Sequence, residues 1–134
     1  MTSRITRLNP PTLHATPGYH HVTVVEAGRT AYLAGQCPLD GNGDLAGPDL
    51  PTQTSQVIAN SVAALEAIDA RPEDVVRSVI YVAGDSQPTL AAVWRQLTES
   101  RLAPAFTTAA TLLGVAQLGN PGQLIEIDLT AAIG

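Results

Sequence analysis

The sequence predicts a single α+β domain over residues 1–134, with one sheet carrying two helices on one of its faces. Three observations predict it. Two stretches, one from about Thr52 to Asp69 and one following Ser86, space their apolar residues as a helix does. Five other stretches are dense in β-branched and apolar residues. No repeat, linker or second domain divides the chain. A sheet with helices on one face is the economical way to pack such a set.

Residues 1–18 hold Pro10, Pro11 and Pro17. Prolines at that density block a helix and favour an extended leading segment. Tyr19–Glu26 (YHHVTVVE) and Arg29–Gln36 (RTAYLAGQ) read as strands. Ala27-Gly28 between them reads as a tight turn, with glycine supplying a positive φ, so the two strands are expected to form a β-hairpin. Pro38–Pro51, with Gly41, Gly43, Gly47 and Pro48, is a loop. In the first helix, Thr52–Asp69, the apolar face is Val57, Ile58, Val62, Leu65 and Ile68. Arg71-Pro72-Glu73-Asp74 is a break with a single helical turn, Pro72 standing first in it.

Val75–Ala83 (VVRSVIYVA) has the β-branched density of a buried strand. Ser86 is suited to cap the second helix, which buries Leu90, Val93, Trp94 and Leu97. Phe106–Val115 and Leu124–Ile133 are the closing strands, separated by the turn sequence Gly119-Asn120-Pro121-Gly122. In the last strand Ile125, Ile127 and Leu129 alternate with Leu124, Glu126, Asp128 and Thr130. The apolar set is expected to face the helices. The carboxylate-bearing set is expected to face whatever covers the open side of the sheet.

Composition narrows the function classes. Apolar residues make up 45% and charged residues 14%, which indicates a folded globule and hints at surface hidden in an oligomer. All seven cationic residues are arginines, scattered singly, in a chain of net charge −5. Nucleic acid and anionic membrane surfaces are disfavoured, since both need a basic footprint. One cysteine, Cys37, excludes an internal disulfide. Neither a signal peptide after Met1-Thr2-Ser3-Arg4 nor a membrane-spanning run is read, so the expected location is the cytoplasm. Gly41–Gly47 carries three glycines, but the third is misplaced for a dinucleotide loop and no parallel βαβ unit surrounds it.

Three stretches carry a family resemblance. Gly18-Tyr19-His20-His21-Val22, Leu33-Ala34-Gly35-Gln36-Cys37-Pro38-Leu39-Asp40 and Leu124-Ile125-Glu126-Ile127-Asp128 resemble, in order and spacing, the motifs of the RidA (YjgF-type) family. The second resembles its S/A-G-Q-x-P-x-D signature and the third its V-E-I-E strand. The resemblance spans nearly the whole chain. It implies a chorismate-mutase-like fold and a homotrimer whose inter-subunit clefts hold a small metabolite. It also implies hydrolysis of reactive enamines and imines, with no cofactor or metal. Residue by residue, Tyr19 matches the family's cleft tyrosine, Gly35 a backbone position lining the pocket, and Glu126 the carboxylate thought to position or activate water. The family arginine falls on Ala110, with Leu112 also near that register, and the family asparagine falls on Trp94 or Val93. A guanidinium is the natural clamp for a substrate carboxylate, and alanine offers nothing comparable.

Two readings stand for most of these residues. Glu126 is either a general base acting through water or a carboxylate paired at a subunit interface. Tyr19 either bonds the ligand or is a half-buried interface ring. His21 shares Tyr19's face and points toward the cleft, whereas His20 points away, so the pair makes a poor metal chelate. Cys37 reads as a buried, inert thiol. Trp94 is core or cleft wall. Ala110 and Leu112 opposite it would make the pocket more apolar than a deaminase's. Whether Arg101 reaches the cleft is left open by the sequence. An imine or enamine hydrolase with altered substrate range and a non-catalytic ligand-binding or partner-docking trimer are the two functions carried forward, with ribonuclease activity disfavoured by the acidic charge.

Overall fold

The structure, a computed structural model, describes residues 4–134; Met1 to Ser3, on which part of the N-terminal reading rests, lie outside the described residues. In chain order the elements are β1 (Ile5–Leu8), β2 (Val22–Val25), β3 (Arg29–Tyr32), α1 (Leu50–Glu66), β4 (Val75–Ala83), α2 (Gln87–Thr98), β5 (Ala109–Val115) and β6 (Ile125–Ile133). Short 3-10 turns, Pro72–Asp74 and Ala103–Phe106, precede β4 and β5.

A four-stranded mixed sheet in the order β3-β6-β4-β5 forms the centre. β6 runs antiparallel to both β3 and β4, and β4 and β5 are parallel, joined through α2. The alternation read along the last strand holds: Ile125, Ile127 and Leu129 are buried while Glu126, Asp128 and Thr130 are half-buried. Register extends this across the sheet. Ile127, Ile80 and Leu112 share a row on the helix side, and Glu126, Tyr81 and Leu113 share a row on the open side. The helix side closes over Val57 and Leu65 of α1 and Val93 and Leu97 of α2. Burying one such side chain fully stabilises by about 1.5–3 kcal/mol, so this one-sided packing dominates the fold.

Each helix has a local reason for where it begins. Ser86 caps α2, as expected, accepting from the Thr89 amide. In α1 the cap is Asp49, whose carboxylate accepts from the amide and hydroxyl of Thr52 (3.0 and 2.9 Å). Those two bonds hold the Asp49 carboxyl below its ordinary range. The helix therefore starts two residues earlier than the apolar spacing marks, with Pro51 in its first turn.

The expected hairpin is not formed. β2 pairs with β1, an element the proline count had left as extended chain, in a separate two-stranded ribbon, and β3 pairs with the last strand instead. Arg4 stands where that turn was expected. Its guanidinium donates to Ile133 O (2.7 Å) and Glu26 O (3.3 Å), filling the space beside Gly28. A Cβ at residue 28 would collide with that guanidinium, and Gly28 is not among the positive-φ glycines. It is glycine to admit an arginine, not to make a turn. Arg7 clamps the other end of β1 by donating to Glu73 O and Val75 O (3.0 and 2.8 Å). Thr23 and Thr108 join hydroxyls at 2.7 Å and tie the ribbon to the start of β5. The strand read as Phe106–Val115 begins only at Ala109, because Phe106 belongs to the 3-10 turn and is buried in the core.

A buried amide organises the loop side. Gln53, fully buried in α1, donates to Gly47 O (2.8 Å) and Gly122 O (2.9 Å) and accepts from the Leu124 amide (2.7 Å). It stitches the 38–51 loop to the turn that feeds β6. Gln53→Ala removes these partners from the carbonyls of half-buried Gly47 and exposed Gly122 and from the half-buried Leu124 amide. We expect a loss of about 1–3 kcal/mol by urea denaturation, since water reaches part of what is left unpaired.

Candidate functional site

Two clusters contain most of the residues that the sequence singled out, and they lie on opposite faces of the sheet. The first is a groove of about 370 Å³ lined by Pro17, Tyr19, Ala91, Trp94, Ala110 and Leu112. The segment between β1 and β2 supplies Tyr19, α2 supplies Trp94, and β5 supplies Ala110 and Leu112 from its helix side. Trp94 Nε1 donates to Pro17 O (3.3 Å), which fixes the indole and the chain approaching Tyr19. Tyr19, Trp94 and Phe106 meet edge to face, with centroids 6.3 and 5.9 Å apart. Such contacts give rigid walls with little ordering cost on binding. The lining carries no charged side chain.

Tyr19, His20 and His21 precede β2 rather than lying in it. They nevertheless diverge as expected. His20 bonds through Nδ1 to Thr107 O. His21 stacks beside Tyr19 (5.9 Å) and His14 (4.6 Å) and contacts His14 O through Nε2 (2.9 Å). His21 thus lies behind Tyr19 and outside the groove wall. His14 Nε2 reaches the Tyr19 hydroxyl at 3.3 Å, a contact not anticipated from sequence.

The second cluster centres on Glu126, on the open side of β6. Its Oε1 accepts from Gln123 Nε2 (3.2 Å) and from the Cys37 thiol (3.3 Å). Its Oε2 lies against Gly35, where any Cβ would collide with it and stand 2.9 Å from the carboxyl carbon. Gly35 is therefore required by the carboxylate that crosses it. Gly35 sits beside β6 because the chain after β3 rejoins that strand through Gln36 and Ile127, whose backbones exchange hydrogen bonds at 2.7 and 3.2 Å. Burial, then the hydrogen bond and the charge of Glu126, push the Cys37 thiol above its ordinary value. That shift keeps the thiol protonated to higher pH, and Cys37 is half-buried and engaged with Glu126 rather than sealed in the core. Asp128 lies one row along β6 from Glu126, level with Val79 and Thr111.

Arg101 is in neither cluster. It lines a hollow on the helix side with Ser55, Ile58 and Gln96. Arg77, which the sequence reading passed over, lies in the register row that also contains Thr130 and Ala109, two rows from Glu126, and donates to the Thr111 hydroxyl (2.7 Å). Gln123 and Asn120 were missed because they sit in a turn whose composition signals only a turn.

The family model described as Endoribonuclease L-PSP matches residues 12–133. The chain belongs to this family, the RidA/YjgF family. The Rid family protein YyfB of Yersinia pestis, of unknown function, is 37% identical, with 97% of this chain and 99% of that chain covered and a TM-score of 0.88. RidA from an Antarctic Psychrobacter species is 26% identical, with 90% and 92% covered and a TM-score of 0.68. A RutC family protein of Pyrococcus horikoshii is 36% identical over 59 residues, 43% of this chain. That match spans about half of the relative's own length (47%). Of the positions that the resemblance singled out, Tyr19 and Ala110 line the groove, and Gly35 and Glu126 meet in the second cluster.

A raised thiol pKa gives a sign for stability. The folded chain holds the Cys37 proton to higher pH than the unfolded chain does. The native contribution is complete below the ordinary value of 9.0 and is lost as pH rises from there through the folded value. Denaturant titrations of wild type and Cys37→Ser across that window should converge on wild type losing the more stability. A constant difference would show that the thiol is not perturbed.

Proposed function

We propose that the protein hydrolyses imines or enamines that carry no carboxylate, with Glu126 as general base and the Tyr19–Trp94–Ala110–Leu112 groove as the substrate wall. The observation that carries this reading is the held carboxylate. Both donors to Glu126 fall on Oε1, which leaves Oε2, over the bare backbone of Gly35, to accept from water. In the reaction, Oε2 takes a proton from water as the water oxygen bonds to the imine carbon. The C=N π electrons pass to nitrogen, which takes the proton back from Oε2. Collapse of the carbinolamine then breaks the C–N bond as Oε2 moves the hydroxyl proton to the departing nitrogen, forming the carbonyl and releasing ammonia. A positioned base of this kind contributes roughly 10²–10⁴-fold. The groove wall supplied by one copy is apolar and uncharged, which favours a neutral organic substituent against it.

Because the groove and Glu126 occupy opposite faces within one chain, the reading requires a second copy. We take the assembly to be a homotrimer in which the groove of one copy meets the open face of the next. The open face supports this. Tyr32 (82% exposed) and Leu113 (42% exposed) are large apolar groups on it, beside half-buried carboxylates. Such surface is what subunit contacts cover. The acidic charge of −5 gives no footprint for RNA.

A second reading, a trimer that binds a small apolar metabolite without turnover, is favoured by the same groove. One experiment separates the two. Imines generated in situ by an amine oxidase from phenethylamine are neutral; those generated by an amino-acid oxidase from phenylalanine bear a carboxylate. Wild type should hasten decay of the neutral imine preferentially, and Glu126→Gln should lower kcat/KM by about 10² or more. Equal rates for wild type and Glu126→Gln would leave binding as the function. Light scattering should give three copies; a monomer would remove the shared cleft.

A further inference from the structure

We infer that Gln123 and Cys37 are positioning residues which select the oxygen of Glu126 that acts: they hold Oε1 and leave Oε2 as the proton acceptor. This rests on the reading of Glu126 as the base and adds how it is aimed.

Gln123 is 3% exposed, and its side chain cannot be turned without loss. Its Oε1 faces the backbone amide of Asn120 (3.1 Å) and Asn120 Nδ2 (2.8 Å). A backbone N–H only donates, so the atom opposite it must be the carbonyl oxygen. The amide nitrogen is thereby directed to Ile125 O (3.0 Å) and Glu126 Oε1 (3.2 Å). All the hydrogen-bonding capacity of this amide is engaged, and flipping it would set donor against donor at Asn120. A buried network satisfied throughout is rigid. The thiol of Cys37 reaches the same oxygen from the other side, at 3.3 Å, while also lying 3.8 Å from Gly35 O. Two donors from separate segments converge on one carboxylate oxygen, and the other oxygen lies over the residue that has no side chain to cover it. A carboxylate left to choose its rotamer would share its donors between both oxygens. Here the turn Asn120–Gln123 and the segment after β3 remove that choice. Displacing a reacting group by about 1 Å can cost on the order of 10² in rate, so the aim matters as much as the presence of the base.

The test reads the contact and the catalysis separately. Cys37 is the single cysteine, so the ultraviolet absorbance of its thiolate reports its ionisation directly, with Cys37→Ser as the blank. Relative to wild type, Glu126→Gln should move thiol ionisation to lower pH. Gln123→Leu and Asn120→Ala should move it to higher pH, because the amides favour the thiolate. An unchanged titration in Glu126→Gln overturns the geometry. On the phenethylamine imine, Gln123→Leu should lower kcat by roughly ten- to a hundredfold with KM little changed. Cys37→Ser should recover most of what Cys37→Ala loses, since a hydroxyl donates to the same oxygen. Asn120→Ala, on the surface side of the network, reproduces the kcat effect if Gln123→Leu folds poorly. A normal titration response with wild-type kcat in both turn variants overturns the positioning role alone. No turnover by wild type overturns the base itself, and the thiol titration then still reports whether the contact exists.

Discussion

The alternation along β6 is the constraint on which the rest depends. Ile125, Ile127 and Leu129 turn inward and are buried, which forces Glu126, Asp128 and Thr130 outward onto the open face. A slip of one residue in register would bury two carboxylates against the helices and expose three branched aliphatic side chains. The cost of burying those charges unpaired far exceeds any gain from an alternative pairing. The register is therefore held strongly, and with it the position of Glu126 opposite Tyr81 and beside Gly35.

The same constraint divides the candidate site. β5 presents Ala110 and Leu112 to the helix side for the reason that β6 presents Glu126 to the open side: both obey the two-residue period of a pleated sheet. The groove and the carboxylate are consequently separated by the thickness of the sheet within one chain. A RidA/YjgF member in which these residues cooperate must do so across a boundary between copies. The neutrality of the groove then has a chemical meaning. An ionised ligand group needs a partner there, and the arginines of this chain lie elsewhere. Arg4 and Arg7 clamp carbonyls of the ribbon and sheet, Arg101 lies on the helix side, and Arg77 lies along the open face with its guanidinium on Thr111.

Part of this was legible before the structure was known. The helices around Val57, Leu65, Val93 and Leu97, the cap at Ser86, the strand Val75–Ala83 and the inward and outward sets of the last strand all follow from local periodicity. The motifs around Tyr19, Gly35 and Glu126 pointed to the family. Strand partners were not legible. Tyr19–Glu26 and Arg29–Gln36 look like a hairpin because adjacent strands usually pair, and nothing local reveals that the Arg4 side chain occupies the space beside Gly28. Gln53 and Gln123 escaped notice because glutamine in a helix or a turn ordinarily signals exposure. Gln53 is structural through partners distant in sequence, the Gly122 carbonyl and the Leu124 amide, and Gln123 through the conformation that its own turn adopts around it.

What the sequence by itself determined is which face each residue of a helix or strand presents, because side-chain direction follows from backbone period alone. From that came the buried core and the carboxylate on the open side. What only the tertiary structure decided is which segments meet. Pairing β3 with β6 brings Gly35 under Glu126. The segment after β3 carries Cys37 to Glu126, and docking the ribbon on β5 sets Tyr19 against Trp94. These contacts join residues far apart along the chain, and their geometry is fixed by loop closure and packing across the whole domain, which no local pattern encodes.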